Sequence, residues 1–468
     1  MIIFLILIAA LIFRLINLNQ SLWLDEAINV VYSQKYNLVD FLTVYSLGDF
    51  HPPLHFGILW IWTRVFGISE IAVRFPSVIF GVLTVWFTYL IGRNLFSRTI
   101  GLVAAAILAF NPLHVYYSQE ARMYSLAAFT VTFSFWALIN LLKGKKYFTP
   151  IYSLSIALIL YSDYPIYFAI LAQLIYVIWI ERENFLKILT WMVLGGVLWI
   201  PWLAIFPAQF KTGTGAAAQI PGWANVVGGA NIKELVLLWV KAIIGRVTFD
   251  NKLLYGVIVT LLSSLYGLIL FKAVMSRKKE IKLLLCWVVL PVFFAFIISF
   301  YIPIFAYFRM IFILPGLTIL FAAGIASFNT KYQRPLLALI LLISSIFLLM
   351  YYINPKYQRE NWKEAISYVK EKNAYVYFKD SNIPAPAQYY GCFVDCFPAI
   401  FKFPALNQKD LVNLKSLTTY QNKVYLFDYL VEISDPKRLV RSELESAGFR
   451  NTETKNFNGV GFVYEYSK

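Results

Sequence analysis

The chain has 468 residues, 60% of them hydrophobic, 18% aromatic and only 14% charged, with a mean hydropathy of +0.65. Soluble globular chains carry about 25% charged residues, so this composition excludes an ordinary cytosolic enzyme and a disordered protein, and three cysteines are too few for a disulfide-rich secreted scaffold. The net charge of +16 belongs, in so apolar a chain, to basic cytoplasmic loops rather than to a nucleic-acid surface.

The class is a polytopic α-helical membrane protein. Crossing a bilayer takes ~20 apolar residues, and about eleven stretches approach that requirement. They are Ile2–Leu18, Phe75–Ile91, Ile100–Leu113, Ser125–Leu142, Phe148–Tyr161, Tyr164–Ile180, Phe185–Phe206, Leu253–Val274, Leu283–Ile302, Met310–Phe328 and Pro335–Tyr352. Basic residues fall in alternate connections: Arg93 and Arg98, then Lys143, Lys145 and Lys146, then Arg182 and Lys187, then Arg277–Lys282, then Lys331 and Arg334. The positive-inside rule assigns those connections to the cytoplasm, with the amino terminus inside and the carboxyl terminus outside. Arg14 lies near the outer end of the first span, where an arginine can snorkel to the interface. The first span lacks a basic n-region and an A-x-A-like site, so it is expected to be an uncleaved helix.

Two segments outside the cytoplasm are long. Asn19–Arg74 mixes charged and aromatic residues and is expected to hold short helices along the membrane surface; Pro207–Asn251 contains the Gly/Ala-rich stretch Gly213–Ala230, a substrate lid or a connector. Residues 1–353 are read as the transmembrane module and residues 354–468 as a soluble extracytoplasmic α/β domain. In that domain Trp362–Lys372 reads as a helix and Ala374–Phe378, Lys423–Phe427, Phe449–Thr454 and Gly461–Tyr466 as strands. Asp435–Pro436 opens a helix that Gly448 closes. No phosphate-binding glycine loop is present in it. Cys392 and Cys396 either pair or remain free, since four-residue spacing inside a helix is poor disulfide geometry; Cys286 is expected to be a packing residue.

Polar residues recur at the outer ends of the spans. Asp25 and Glu26 lie in LWLDEA, Asp49 and His51 in GDFHPPL, Arg74 in RFPS, and Glu120, Arg122 and Tyr124 in YYSQEARMY; Asp163 ends the fifth span and Arg309 precedes the tenth. Arginine binds phosphate through paired, charge-assisted hydrogen bonds. A carboxylate beside an acceptor hydroxyl serves as general base. Such a set suits a sugar joined to a lipid phosphate, an activated linkage that requires no cofactor. A divalent metal remains compatible, with Asp25, Glu26, Asp49 and His51 as its candidate ligands. Each residue also has a structural reading. The acidic pair can cap a helix, His51 can cap the turn at the two prolines, Arg74 and Arg309 can snorkel, and Glu120 and Arg122 can pair with each other.

The order LDEA, DFHPPL, RFPS resembles the amino-terminal half of the GT-C superfamily of polyprenyl-phosphate-sugar-dependent glycosyltransferases, above all the dolichyl-phosphate-mannose–protein mannosyltransferases and the lipid A aminoarabinose transferases. The resemblance spans Arg14–Ala128. It implies a GT-C fold of about eleven transmembrane helices, Asp25 as catalytic base with Glu26 beside it, and site roles for Asp49, His51, Glu120, Arg122 and, later in the chain, Arg309 at the lipid phosphate. Many relatives have Thr-His-Tyr after the fifth helix where this chain reads Ser162, Asp163, Tyr164. The implied partners are a polyprenyl- or dolichyl-phosphate sugar, a protein, glycan or lipid acceptor, and the bilayer, with no nucleic acid. The implied location is the plasma membrane. The rival readings are a transporter or lipid flippase, which calls for charges near the bilayer midplane, and a catalytically inactive scaffold.

Overall fold

The computed structural model describes residues 1–219, 228–372 and 374–468. The chain divides into two compact units. One comprises residues 1–18, 38–215 and 224–353; the other contains residues 354–468 together with residues 19–37.

The first unit is all-helical. It opens with α1 (Ile2–Leu15) and, after the segment that belongs to the second unit and holds α2 (Leu24–Lys35), continues with α3 (Leu38–Thr43), α4 (Leu54–Phe66) and α5 (Glu70–Leu95). Then come α6 (Arg98–Phe110), α7 (Pro112–Ser118), α8 (Tyr124–Leu142), α9 (Phe148–Ser162) and α10 (Tyr167–Ile180). The later helices include Phe185–Val197, Phe206–Gln219, Ile232–Ile244, Lys252–Met275, Lys279–Ile298, Leu314–Ala326 and Thr330–Ile353.

All eleven apolar stretches fall on helices, but their lengths separate them. Among the described residues, six have the length and apolarity to cross a bilayer; α6 and α7, bent by 64°, form a seventh if taken as one span. Helices α1, α9 and α10 have 14, 15 and 14 residues. In the most apolar stretch of Tyr307–Ala326, 89% of the residues are buried, and in that of α8 78%, against only 11% in Lys252–Met275. The first two are therefore the centre of the bundle and the last presents its apolar side chains outward, as a lipid-facing helix does. At the centre, Phe135 of α8 stacks on Trp287 with ring centroids 4.1 Å apart. The Trp287 indole donates to the Phe312 carbonyl at 3.1 Å.

Arg14 does not snorkel. It is fully buried, and its Nη1 donates to the carbonyls of Ala10 at 2.8 Å and Ala109 at 3.4 Å while its Nη2 meets His114 Nδ1 at 2.7 Å. The break between α6 and α7 explains this. Pro112 interrupts α6 and leaves its last carbonyls open, and a cation is favoured at a helix carboxyl end.

The second unit contains a five-stranded mixed sheet in the order β2-β1-β3-β5-β4. Its strands are β1 (Tyr375–Phe378), β2 (Cys396–Pro398), β3 (Lys423–Phe427), β4 (Arg450–Phe457) and β5 (Gly461–Ser467). β2, β1 and β3 run parallel, and β5 and β4 antiparallel. Strand alternation sends Val376, Phe378, Tyr425 and Phe427 to the face covered by helix Trp362–Lys370. Tyr377, Val424 and Leu426 go to the face covered by Leu439–Ser446. Asp435 accepts from the amides of Leu439 at 2.7 Å and Val440 at 3.2 Å, so it caps a helix that begins later than Pro436. Cys392 and Cys396 are joined, with 5.8 Å between their Cα atoms; the segment between them is not helical, which removes the objection to their spacing. The first part of the Gly213–Ala230 stretch continues helix Phe206–Gln219, and residues 220–227 lie outside the described residues.

Candidate active site

In the first unit a buried polar group forms around the start of α4. Pro52 and Pro53 set the entry to that helix, and just before them His51 Nδ1 lies 2.6 Å from Asp49 Oδ1. The loop is held from outside. Gln209, on helix Phe206–Gln219, donates to the carbonyls of Ser46 at 2.7 Å and His51 at 2.9 Å and accepts from the Tyr164 hydroxyl. One turn into α4, His55 Nε2 lies 3.2 Å from the Ala121 carbonyl, tying the helix to the turn that carries Arg122.

Arg122 is buried and acts on both carboxylates of this group, Asp49 and Asp163; Arg309 and His51 act on Asp163 as well. The two carboxyl groups respond in opposite directions. Burial pushes the Asp49 carboxyl up, but the charge and hydrogen bond of His51 and the charge of Arg122 outweigh it, so Asp49 lies below its ordinary value. Burial wins at Asp163, which lies above its ordinary value despite His51, Arg309 and Arg122. One carboxylate is thereby kept ionised beside another that takes up a proton more readily.

A second group adjoins the same turn. The Arg246 guanidinium lies 4.7 Å over the Tyr116 ring and donates to its hydroxyl, with Tyr307, Tyr117 and Glu120 also acting on it. Sequence reasoning missed Arg246. The signal was the Gly-Arg pair ending an amphipathic helix: Gly245 has φ +65°, and a Cβ there would lie 2.7 Å from Pro112 Cβ. Tyr124 packs edge-on against Tyr117 and Phe308 at 5.2 and 5.5 Å between ring centroids, next to Arg309. Arg309 is half-buried, and its Nη1 donates to the Pro303 carbonyl at 3.3 Å. Arg74 is buried in α5, where its Nη1 donates to the Leu18 carbonyl at 3.0 Å and fixes the end of the first helical segment.

Asp25 and Glu26 occupy the first turn of α2, in the second unit. Glu26 is fully buried and its carboxylate accepts from the Trp23 amide at 3.4 Å, the arrangement of a helix cap. Asp25 is partly exposed. The C-terminal domain grips this segment along its length. The Arg359 amide donates to Gln20 at 3.0 Å, the Lys363 amide to Ser21 at 3.1 Å, the Leu22 amide to the Tyr390 hydroxyl at 2.8 Å, and Lys35 to Gln388 at 3.1 Å. Among the described residues no group of three or more His, Cys, Asp or Glu side chains is placed to hold a metal ion.

Comparison with known proteins bears on this arrangement. Residues 50–205 match the family described as dolichyl-phosphate-mannose-protein mannosyltransferase. An uncharacterized protein of Aquifex aeolicus is 29% identical over 135 residues, and the chain spans a quarter of that protein's length. Among solved structures, ArnT from Cupriavidus metallidurans aligns with a TM-score of 0.63 at 11% identity, covering 99% of this chain and 97% of ArnT; it has also been solved bound to undecaprenyl phosphate. AglB, the oligosaccharyltransferase of Archaeoglobus fulgidus, in complex with an inhibitory peptide and a dolichol-phosphate, aligns with a TM-score of 0.53 at 12% identity, covering 99% of this chain and 74% of AglB. The chain is a multi-pass membrane protein that shares the fold of ArnT and AglB, and its residues 50–205, a third of the chain, are similar to the dolichyl-phosphate-mannose-protein mannosyltransferase family.

Proposed function

We propose that the chain transfers a sugar, mannose or a related hexose or pentose, from a polyprenyl- or dolichyl-phosphate carrier to an acceptor outside the cytoplasm, with inversion at the anomeric carbon. Asp25 takes the proton of the acceptor hydroxyl. The freed oxygen forms a bond to the anomeric carbon from the face opposite the phosphate. The bond from that carbon to the phosphate oxygen breaks, its electron pair leaves with the lipid phosphate, and arginine offsets the growing charge. Arg122, Arg309 and Arg246 are the candidates for that charge. Arg74, bonded to Leu18, serves the fold, as does Glu26, which caps α2. Asp49 and His51 hold the arginine-bearing turn, and Asp163 balances Arg122 and Arg309.

The observation that carries this reading is the convergence of Arg122 and Arg309 on Asp163 at the ends of α8, α9 and helix Leu314–Ala326, in a chain of GT-C fold. A polar group gathered at helix ends suits a headgroup chemistry better than a translocation path across the bilayer midplane. The location proposed for the reaction is the outer face of the plasma membrane.

The test uses protein purified in detergent and radiolabelled undecaprenyl-phosphate monosaccharides. Wild type is expected to release the label from one donor, to lose at least a hundredfold in Asp25→Asn, roughly the share that general-base catalysis supplies, and to weaken for donor in Arg309→Ala. Unchanged turnover in Asp25→Asn would remove Asp25 from the chemistry.

A further inference from the structure

We propose that Glu360 is a positioning residue for Asp25, and that the C-terminal domain thereby acts as the mount of the catalytic helix. The proposal rests on Asp25 being the base.

The sheet of the second unit places its parallel strands in the order β2-β1-β3, so the strand order reverses at β1. In open α/β sheets the crevice beyond the carboxyl ends of such strands is where ligands bind. Here that end is already filled. Lys379, one residue past β1, has no exposed side-chain surface. It pairs with Asp428, one residue past β3, and with Asp435 at 3.5 Å. What remains of the crevice, lined by Phe378, Lys379, Asp380, Phe427, Tyr429 and Ser434 among others, has a volume of only about 20 Å³, close to the space of one water molecule.

Glu360 stands at the same end of the sheet, against Gly459 in the turn between β4 and β5. Its carboxylate accepts from the Trp362 indole at 2.8 Å and from the Tyr429 hydroxyl at 3.1 Å to both oxygens. It also accepts from the backbone amide of Leu24, and Asp25 adds its negative charge. Leu24 is the first residue of α2. Its amide is one of the donors that a helix cannot satisfy within itself, and a carboxylate opposite a helix amino terminus is favoured by the helix dipole as well. Glu360 therefore holds the end of α2 from the domain side while Glu26 holds it from within the helix. Asp25 lies in the first turn of α2, next to Leu24, whose amide Glu360 holds, and to Glu26. Trp362, which stacks on Phe427 with centroids 5.8 Å apart, ties Glu360 to the core of the sheet. A shift of about 1 Å in a catalytic group is enough to cost about a hundredfold in rate.

The test compares wild type with Glu360→Gln and Glu360→Ala in the full-length protein in detergent. Glutamine keeps an oxygen for the Leu24 amide; alanine removes it. Hydrogen exchange of the peptide covering residues 22–33 is expected to quicken at least tenfold in Glu360→Ala and to stay near wild type in Glu360→Gln, with β3 and β5 equally protected in all three. With radiolabelled undecaprenyl-phosphate mannose as donor, Glu360→Ala is expected to lower kcat at least tenfold with KM within twofold, and Glu360→Gln to restore it. Wild-type exchange in residues 22–33 of Glu360→Ala would overturn the proposal, as would loss of exchange protection across the whole sheet. The exchange result does not depend on which residue is the base. If Asp25→Asn keeps its turnover, only the assignment of the base fails.

Discussion

At the scale of single residues, the most informative side chain is one that no motif marks. Glu360 sits in an unremarkable QRENW run, and its place becomes visible only when the turn between β4 and β5 and the first turn of α2 are brought to it by the fold. Burial, with the Asp25 charge adding to it, raises its carboxyl to about 7, against the hydrogen bonds of Trp362, Tyr429 and Leu24. An acid whose folded value lies above its unfolded one stabilises the fold fully below the unfolded value, near 4.5, and that contribution is lost as pH rises through the folded value. Asp25 faces Glu360 from α2, and Tyr429, itself near Asp380, faces it from the end of β3. Glu360→Gln mimics the protonated acid, so it is expected to stabilise the second unit by about 1–3 kcal/mol at pH 8 and to change nothing at pH 4. Denaturant melts of the full chain followed by exchange in β3, at both pH values, check this. Equal stability of the two proteins at pH 8 would contradict the burial argument. The motif residues were more legible. LDEA, GDFHPPL and YSQEARMY drew attention to Asp25, Asp49, His51 and Arg122 as candidates through charge set among aromatic and proline residues, and the structure brings Asp49, His51 and Arg122 into one group. Arg246 and Gln209 escaped because their partners, Tyr116 and His51, lie more than a hundred residues away.

At the scale of elements, apolar runs were a sure sign of helix and a poor measure of length. Every run fell on helix, yet α6 ends at Phe110, because Pro112 cannot continue the ladder, and α7 leaves at 64°. That break created the need for a buried cation, which the sequence offered only as an arginine near the end of the first run. The close approach of α1, α5 and α7 around it sets a condition on α5. A Cβ at Gly81 would lie 2.3 Å from Ser118 Oγ and 2.8 Å from Arg14 Nε, whereas one at Gly256, in helix Lys252–Met275, would meet nothing within 4 Å. Gly81→Ala is therefore expected to destabilise the bundle by about 1–3 kcal/mol through overpacking. Gly256→Ala is expected to be neutral or stabilising by up to about 1 kcal/mol, from the better helix propensity of alanine. Thermal unfolding in detergent separates the two. Equal midpoints would show that the α1–α5–α7 crossing can relax around a methyl group. In the C-terminal domain a strand that is a continuous apolar run, such as Lys423–Phe427, was legible. Strand β2 was not, because three residues carry too little period to register.

At the scale of the whole molecule, the sequence suggested a cut at residue 353, with everything before it, outer segments included, assigned to one transmembrane module. The chain instead gathers residues 19–37 with residues 354–468. Local pattern cannot reveal this, since α2 is amphipathic in either company. The bonds from Gln20, Ser21, Leu22 and Lys35 to residues more than 300 positions later decide it. The sidedness expected of the molecule rests on a different source, the distribution of lysine and arginine, and makes its own prediction. In a Cys286→Ala background, Tyr420→Cys places a thiol at a residue that is 93% exposed in the C-terminal domain, and Lys146→Cys places one at an exposed position between α8 and α9. If the basic connections lie in the cytoplasm, a membrane-impermeant maleimide added to intact cells labels Tyr420→Cys and spares Lys146→Cys until the membrane is opened. The reverse pattern would put the C-terminal domain, and Asp25 with it, on the cytoplasmic face. Labelling of both in intact cells would mean that the chain inserts in two orientations. Either result would break the link between an outward-facing acceptor and the carboxylate proposed to deprotonate it.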